Sequence, residues 1–166
     1  MPTKKPERIL GIDPGFGRIG WGVIEHRKGK WVGVAYGCIE TNKKADFVDR
    51  LLELSIDLTN IIKKYKPEYS AVEELFFYKN VTTGIKVGQA RGVILLTLKQ
   101  QKVIVYEYTP LQIKQSITGY GRAEKGQLQR MVKMMLGVKK PITPDDAADA
   151  LAVALTCSTG LRMLRM

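Results

Sequence analysis

The chain has 166 residues, 45% hydrophobic and 26% charged, with 27 Lys and Arg against 16 Asp and Glu and a formal net charge of +11. That length and balance describe one globular domain with a proper core, with residues 1–7 and 161–166 as flexible tails, and exclude a low-complexity or disordered chain. No apolar run approaches bilayer length, and the polar, basic start has no signal-like core after it, so a cytoplasmic protein with no membrane role is expected. The charge excess favours a polyanionic partner, nucleic acid before an acidic membrane surface. Cys38 and Cys157 lie far apart with no CxxC or nearby histidine, which speaks against zinc and a disulfide framework and for burial as small hydrophobes.

Residues 9–13, 19–24 and 31–39 read as three strands, with Gly29 marking a turn between the second and third. From Asp46 the apolar period becomes helical: Phe47, Leu51, Leu54, Leu58, Ile61 and Tyr65 define a helix over 46–65 that Pro67 ends. Residues 69–73 form a short strand and 76–81 an aromatic, polar connector. A helix follows over 83–101, with Gly88 and Gly92 as weak points, and then a fifth strand over 103–108. Thr109-Pro110-Leu111-Gln112 is a helix start, with a capping residue, proline at the first position and Gln three residues after the cap. That helix stops before Gly119. Another spans 123–136 and buries Leu128, Met131, Val132 and Met135. Thr143-Pro144-Asp145-Asp146 repeats the cap-proline-acid pattern and opens a last helix to about Gly160. The order predicts an α/β protein with a five-stranded sheet of mixed direction.

Within this basic chain, several carboxylates sit in stretches that read as buried. Asp13 closes the apolar run Ile9-Leu10-Gly11-Ile12, and Glu73 closes Tyr69-Ser70-Ala71-Val72. Asp149 lies within an alanine-rich helix, with Asp146 one turn before it. An ionised carboxylate among apolar neighbours is costly unless a cation pairs with it, and clustered carboxylates repel one another. An all-oxygen divalent metal site answers both. Each acid also has a plainer explanation. Asp13 leads into the glycine-rich turn Asp13-Pro14-Gly15-Phe16-Gly17-Arg18, which an aspartate often organises. Glu73 and Glu74 point to opposite faces of a strand, so at most one faces a shared site. Asp145 and Asp146 suit the first turn of a helix through its dipole. Asp149 pairs with Asp145 at i,i+4 and with Asp146 at i,i+3, and spacing does not choose between them. Oxygen ligands without His or Cys suit Mg²⁺ or Mn²⁺. Two such ions about 3.5–4 Å apart support phosphodiester hydrolysis. The one histidine, His26, sits near a turn and reads as surface, which leaves histidine-based acid–base chemistry little to work with.

Over nearly its whole length the chain resembles the RuvC family of Holliday-junction resolvases. The resemblance rests on Gly11-Ile12-Asp13-Pro14-Gly15, on Ala71-Val72-Glu73-Glu74-Leu75-Phe76, and on Lys86-Val87-Gly88-Gln89-Ala90-Arg91-Gly92. It extends through Lys114-Gln115, Ala123-Glu124-Lys125 and Asp146-Ala147-Ala148-Asp149-Ala150-Leu151-Ala152. It implies a ribonuclease-H-like fold, a five-stranded mixed β-sheet flanked by α-helices. It also implies a homodimer that nicks two opposing strands of four-way junction DNA, leaving 5′-phosphate and 3′-hydroxyl ends. Two Mg²⁺ per subunit, replaceable by Mn²⁺, are implied on Asp13, Glu73, Asp146 and Asp149, with Asp145 an extra acid beside them. Lys114 and Lys125 match family lysines near the scissile phosphate. Lys125 opens a helix after a glycine-rich loop, a natural phosphate-facing place. Phe76 matches the aromatic that inserts at the junction centre. Phe77, Tyr78, Lys79, Lys86, Arg91 and Arg122 complete the DNA-contacting candidates, with Lys86 and Arg91 on the helix that resembles the family's dimer helix. A branch-migration motor of RuvA and RuvB type is the implied protein partner.

Other readings are a ribonuclease-H-like nuclease acting on RNA–DNA hybrid or structured RNA, an actin-like ATPase sharing the Asp13 turn, and a catalytically inactive junction-binding scaffold.

Overall fold

The computed structural model describes residues 5–75 and 79–166. Five strands form one sheet in the order β3-β2-β1-β4-β5. β1 (Arg8–Asp13), β2 (Arg18–Arg27) and β3 (Lys30–Glu40) make an antiparallel meander. β4 (Tyr69–Glu73) and β5 (Ile104–Tyr108) continue the sheet in parallel with β1. Antiparallel neighbours need only tight turns, whereas parallel ones need crossovers. Here the crossovers carry α1 (Phe47–Tyr65) and α2 (Val81–Gln100). α3 (Pro110–Thr118), α4 (Lys125–Met135) and α5 (Asp145–Leu164) follow β5.

The period of two along each strand divides the core into two layers. Leu10, Ile12, Val23 and Val72 pack with Leu54, Leu58 and Ile62 of α1 and Ala90, Ile94 and Leu98 of α2. Ile9, Ile24 and Ala71 point the other way, into α3, α4 and α5. Asp13 is in phase with Ile9 and Gly11, and Glu73 with Tyr69 and Ala71. Both acids therefore belong to the α5 face of the sheet, at the ends of adjacent strands.

α5 is buried along most of its length, from Ala147 through Ser158 except near Asp149. It lies directly on β1 and β2 because those strands carry glycine beneath it. A Cβ on Gly11 would sit 1.9 Å from the Ala150 carbonyl oxygen, and one on Gly20 would sit 2.0 Å from the Asp146 carbonyl oxygen. Two strand glycines thus set how closely the acid-bearing helix approaches the sheet.

Some expectations from the sequence need correction. α5 is long and apolar enough to cross a membrane by length and composition, where no such stretch was expected; 67% of its apolar window is buried in the protein, so it packs as a core helix. It also continues past Gly160 to Leu164, because Leu161 still packs in the core. Residues 161–164, expected in a tail, are helical. Thr143 does not cap α5; Pro144, after a cis peptide bond, takes that position and Asp145 is the first helical residue. α2 runs through Gly88 and Gly92 without interruption, capped by Asn80 accepting from the Thr83 N–H. The Thr109/Gln112 capping box forms as its sequence pattern predicts.

Candidate metal centre

Asp13 ends β1, and Asp146 and Asp149 lie one turn apart at the start of α5. One carboxylate oxygen from each falls within 4.8 Å of the others. Glu73, at the end of neighbouring β4, faces Asp13 closely enough for each carboxyl to act on the other's ionisation. Burial is the main force on the cluster. With the charges of Glu73 and Asp149 it pushes the Asp13 carboxyl up to about 8. Burial likewise raises Glu73 and Asp149, against the opposing pull of Lys114 on Glu73 and of Lys125 on Asp149.

Such a set holds protons it would shed to a cation. Its donors are all carboxylate oxygens, which fit a hard divalent ion. The side chain of Asp145 is 65% exposed and lies outside this group, whereas that of Asp149 is 24% exposed and within it. Spacing alone left Asp145 and Asp146 equivalent; the packing of α5 turns Asp146 inward.

Cations flank the acids. Lys125 opens α4 and puts Nζ 3.6 Å from both Asp145 and Asp149. Asp149 is the main cause that raises the Lys125 pKa, so the amine stays charged. On the other flank, Arg18 Nε is 3.6 Å from Asp146 Oδ2. Cys38, paired with Gly20 across the β2–β3 ladder, is half-buried with its thiol 4.0 Å from the same Oδ2. Burial, then Asp146, push that thiol up to about 11, so it remains an S–H donor.

The other candidates fall into different settings. Lys79 and Arg122 are exposed. Lys86 lies over the Phe16 and Phe47 rings, 5.7 and 5.6 Å from their centroids. Arg91 is only 16% exposed; it donates to the Glu73 carbonyl and pairs with Glu107. It braces the end of β4 from behind. Phe76, Phe77 and Tyr78 lie outside the described residues. His26 is exposed beside Trp31, as its place near a turn predicted. Sequence reasoning missed Arg18 and Cys38, whose only signal was their register beside Asp146 once the strands pair.

A mixed sheet with acids at the ends of two adjacent strands and on the closing helix defines the ribonuclease-H-like class of nucleases. The family model described as crossover junction endodeoxyribonuclease RuvC matches residues 9–157. A crossover junction endodeoxyribonuclease RuvC from Petrotoga mobilis is 58% identical over 146 residues, covering 88% of this chain and 90% of that protein. The solved structure of T. thermophilus RuvC in complex with Holliday junction substrate superposes with a TM-score of 0.89 at 34% identity, covering 95% of this chain and 96% of the other. The yeast mitochondrial Holliday junction resolvase Ydc2 shares the fold at a TM-score of 0.69 and 17% identity, over 99% of this chain and 84% of its own. The chain belongs to the RuvC family.

Proposed function

We propose that this chain is a structure-selective endonuclease that resolves four-way DNA junctions by paired, symmetric nicks, in the cytoplasm and in the service of recombination and repair. The observation that carries the reading is the convergence of half-buried carboxylates at one end of the sheet, within a chain matched to the RuvC family over residues 9–157.

Asp13, Glu73, Asp146 and Asp149 are the residues that would hold two Mg²⁺, with Mn²⁺ able to substitute. When held there, such ions would supply a nucleophile from water and offset charge on the departing 3′ oxygen. The protein's own residues do the rest. Strand ends and a helix packed on glycine keep the four acids in place, so little reorganisation is needed when substrate arrives. Lys125, at a helix start beside Asp149, is set to meet a phosphate that the acids alone would repel. Lys114, whose charge acts on Glu73, does the same at the β4 end. Arg91 serves by fixing the Glu73 backbone. Lys79, Arg122 and the aromatic segment 76–78 remain candidates for holding the opened junction.

The active form we propose is a homodimer, because one nick does not resolve a junction and a two-fold dimer presents two matching sites. Supporting this, α1 and α2 together expose Val48, Leu52, Ile56, Ile85 and Leu96 on the side of the sheet away from α5. Val48, Leu52 and Ile56 recur at i,i+4 on one helical face, and Ile85 and Leu96 stand three turns apart on another. A motor of RuvA and RuvB type is the proposed further partner.

The test is nicking of a labelled four-way junction by the purified protein, with Mg²⁺ or EDTA, beside a linear duplex and an RNA–DNA hybrid. Paired, metal-dependent nicks confined to the junction are expected. Cleavage of the hybrid instead, or tight junction binding without cleavage under Mg²⁺ or Mn²⁺, would overturn the reading.

A further inference from the structure

Beyond the residues so far given a part in catalysis, one cation stands at the rim of the metal centre without a role. Arg18 begins β2 directly after the Gly15-Phe16-Gly17 turn and opposes Glu40 across the β2–β3 ladder. Glu40 Oε1 accepts from Nε at 3.1 Å and from Nη2 at 2.9 Å. An exposed cross-strand pair of this kind contributes little to stability. Two further features distinguish it. The same Nε is 3.6 Å from Asp146 Oδ2, so the guanidinium borders the acid cluster on the flank opposite Lys125. And Arg18 lines a cleft of about 960 Å³ between the Gly15–Gly17 turn and residues 40–43, whose lining includes none of the four acids.

The chemistry of that cleft suits a sugar–phosphate strand. Two of its walls are glycines without side chains, at Gly15 and Gly17. Gly15 is required for the turn itself, since a Cβ there would meet the Arg18 carbonyl oxygen at 2.3 Å. Glu40 and Glu53 also line the cleft, but Glu40 is paired with Arg18 and Glu53 accepts from the Asn42 N–H at 2.9 Å, so the donors the cleft offers an anion are Lys43 and the free part of the guanidinium. Glu40 uses Nε and Nη2, leaving Nη1 of a planar five-donor group to bind an anion. The side chain is 53% exposed, as a group that meets substrate must be.

We propose that Arg18 binds a phosphate of the cut strand next to the scissile one, and that the cleft beyond it carries the adjoining nucleotide. Lys125 and Arg18 then bracket the acids, and the strand crosses the metal centre from one cation to the other. Glu40 holds the guanidinium in place before DNA arrives. The inference rests on the nuclease reading above and deepens it.

The test compares Arg18→Gln with Arg27→Gln, the same charge change at the far end of the same strand. Junction affinity is measured by fluorescence anisotropy in EDTA across a salt series, nicking kinetics in Mg²⁺, and Mn²⁺ binding by electron paramagnetic resonance without DNA. Removing a single arginine–phosphate interaction should lower the magnitude of the log affinity against log salt slope by about one. Without that charge-assisted hydrogen bond, kcat/KM should fall roughly tenfold or more. Arg27→Gln should change neither, Arg18→Lys should restore the slope, and Mn²⁺ binding should be unaltered. An unchanged slope in Arg18→Gln overturns the proposal, as does weakened Mn²⁺ binding with an unchanged slope, which would assign Arg18 to Asp146 and not to DNA. If the parent chain itself fails to nick junctions, it is the nuclease reading that falls.

Discussion

Asp149 is the residue on which the site turns. It is the fifth residue of α5, just past the first turn where the helix dipole acts most, and is raised by burial although Lys125 stands 3.6 Å away. A carboxylate kept in that position against its solvation preference is explained by what it binds. Asp149→Asn removes one metal donor and one negative charge near phosphate. Nicking should fall by at least about a hundredfold, the order expected when roughly 3 kcal/mol of transition-state stabilisation is removed. Junction affinity should hold or improve. Anisotropy and nicking on one sample check this, and normal cutting by the variant would remove Asp149 from the site. Arg91 gives a contrasting case. It was expected to meet DNA or a partner subunit; its guanidinium is mostly buried against the Glu73 carbonyl and Glu107. If it braces β4, Arg91→Gln should raise the Mg²⁺ concentration needed for half-maximal nicking while leaving the salt slope of junction binding unchanged. A reduced slope with unchanged metal demand would make Arg91 a phosphate ligand instead.

At the scale of elements, the fit of α5 on β1 and β2 decides the geometry. Gly11→Ala places a methyl where the Ala150 carbonyl already stands, 1.9 Å from an ideal Cβ. Overpacking of this kind costs about 1–3 kcal/mol. It also pushes Asp146 and Asp149 away from Asp13. Thermal melting should show a moderate loss of stability, and nicking at a temperature where the variant is fully folded should fall much further than stability does. Equal and mild effects would mean that α5 adjusts without moving its acids. The same packing explains what was legible in the sequence. Asp13 and Glu73 stood out because each closes an apolar strand, and strand phase is local. Asp149 stood out because it interrupts an alanine-rich helix. Spacing did not separate Asp145 from Asp146, since both lie on helical faces near Asp149; the family resemblance chose Asp146, and the seating of α5 on Gly20 is the physical feature that distinguishes them. Arg18 and Cys38 were invisible because their relation to Asp146 crosses more than a hundred residues of sequence and exists only through strand register. The end of α5 was misjudged at Gly160 because Leu161 is held by the core, and tertiary burial outweighs the cost of a glycine.

At the scale of the molecule, two properties follow from how charge and apolar surface are distributed. The exposed apolar face of α1 and α2 lies on the opposite side of the sheet from the helices that carry Lys125 and Asp149. A dimer through it leaves both metal centres free. Leu52→Glu, at the centre of the α1 stripe, should yield a monomer by sedimentation, with junction nicks no longer made in pairs. A variant that stays dimeric would place the interface elsewhere.

The second property concerns pH. Asp13 rises from 3.8 to about 8, and Glu73 and Asp149 also rise, so the folded protein without metal binds more protons than the unfolded chain over that range. Stability then falls with increasing pH wherever the folded state holds the extra protons. The contribution is complete below the unfolded carboxylate values and is lost as pH climbs through the folded ones. In EDTA, the melting temperature should therefore drop between pH 5 and pH 8 by at least about 3 °C, the shift that roughly 1 kcal/mol produces in a chain of this size. Divalent ions compete with those protons. With Mg²⁺ at saturation, the decline should flatten or reverse, since binding to the deprotonated cluster strengthens as pH rises. Calorimetric titration with Mn²⁺ near pH 7, in two buffers of different ionisation enthalpy, should show net proton release on binding. In Asp13→Asn both the release and the slope of melting temperature against pH should shrink together. A metal-free protein whose melting temperature rises from pH 5 to pH 8, or metal binding that releases no protons, would mean that these acids are ionised and separately solvated and do not form one coupled cluster. The two measurements share one cause, so agreement between them tests the cluster as a unit in a way that single substitutions scored by activity cannot.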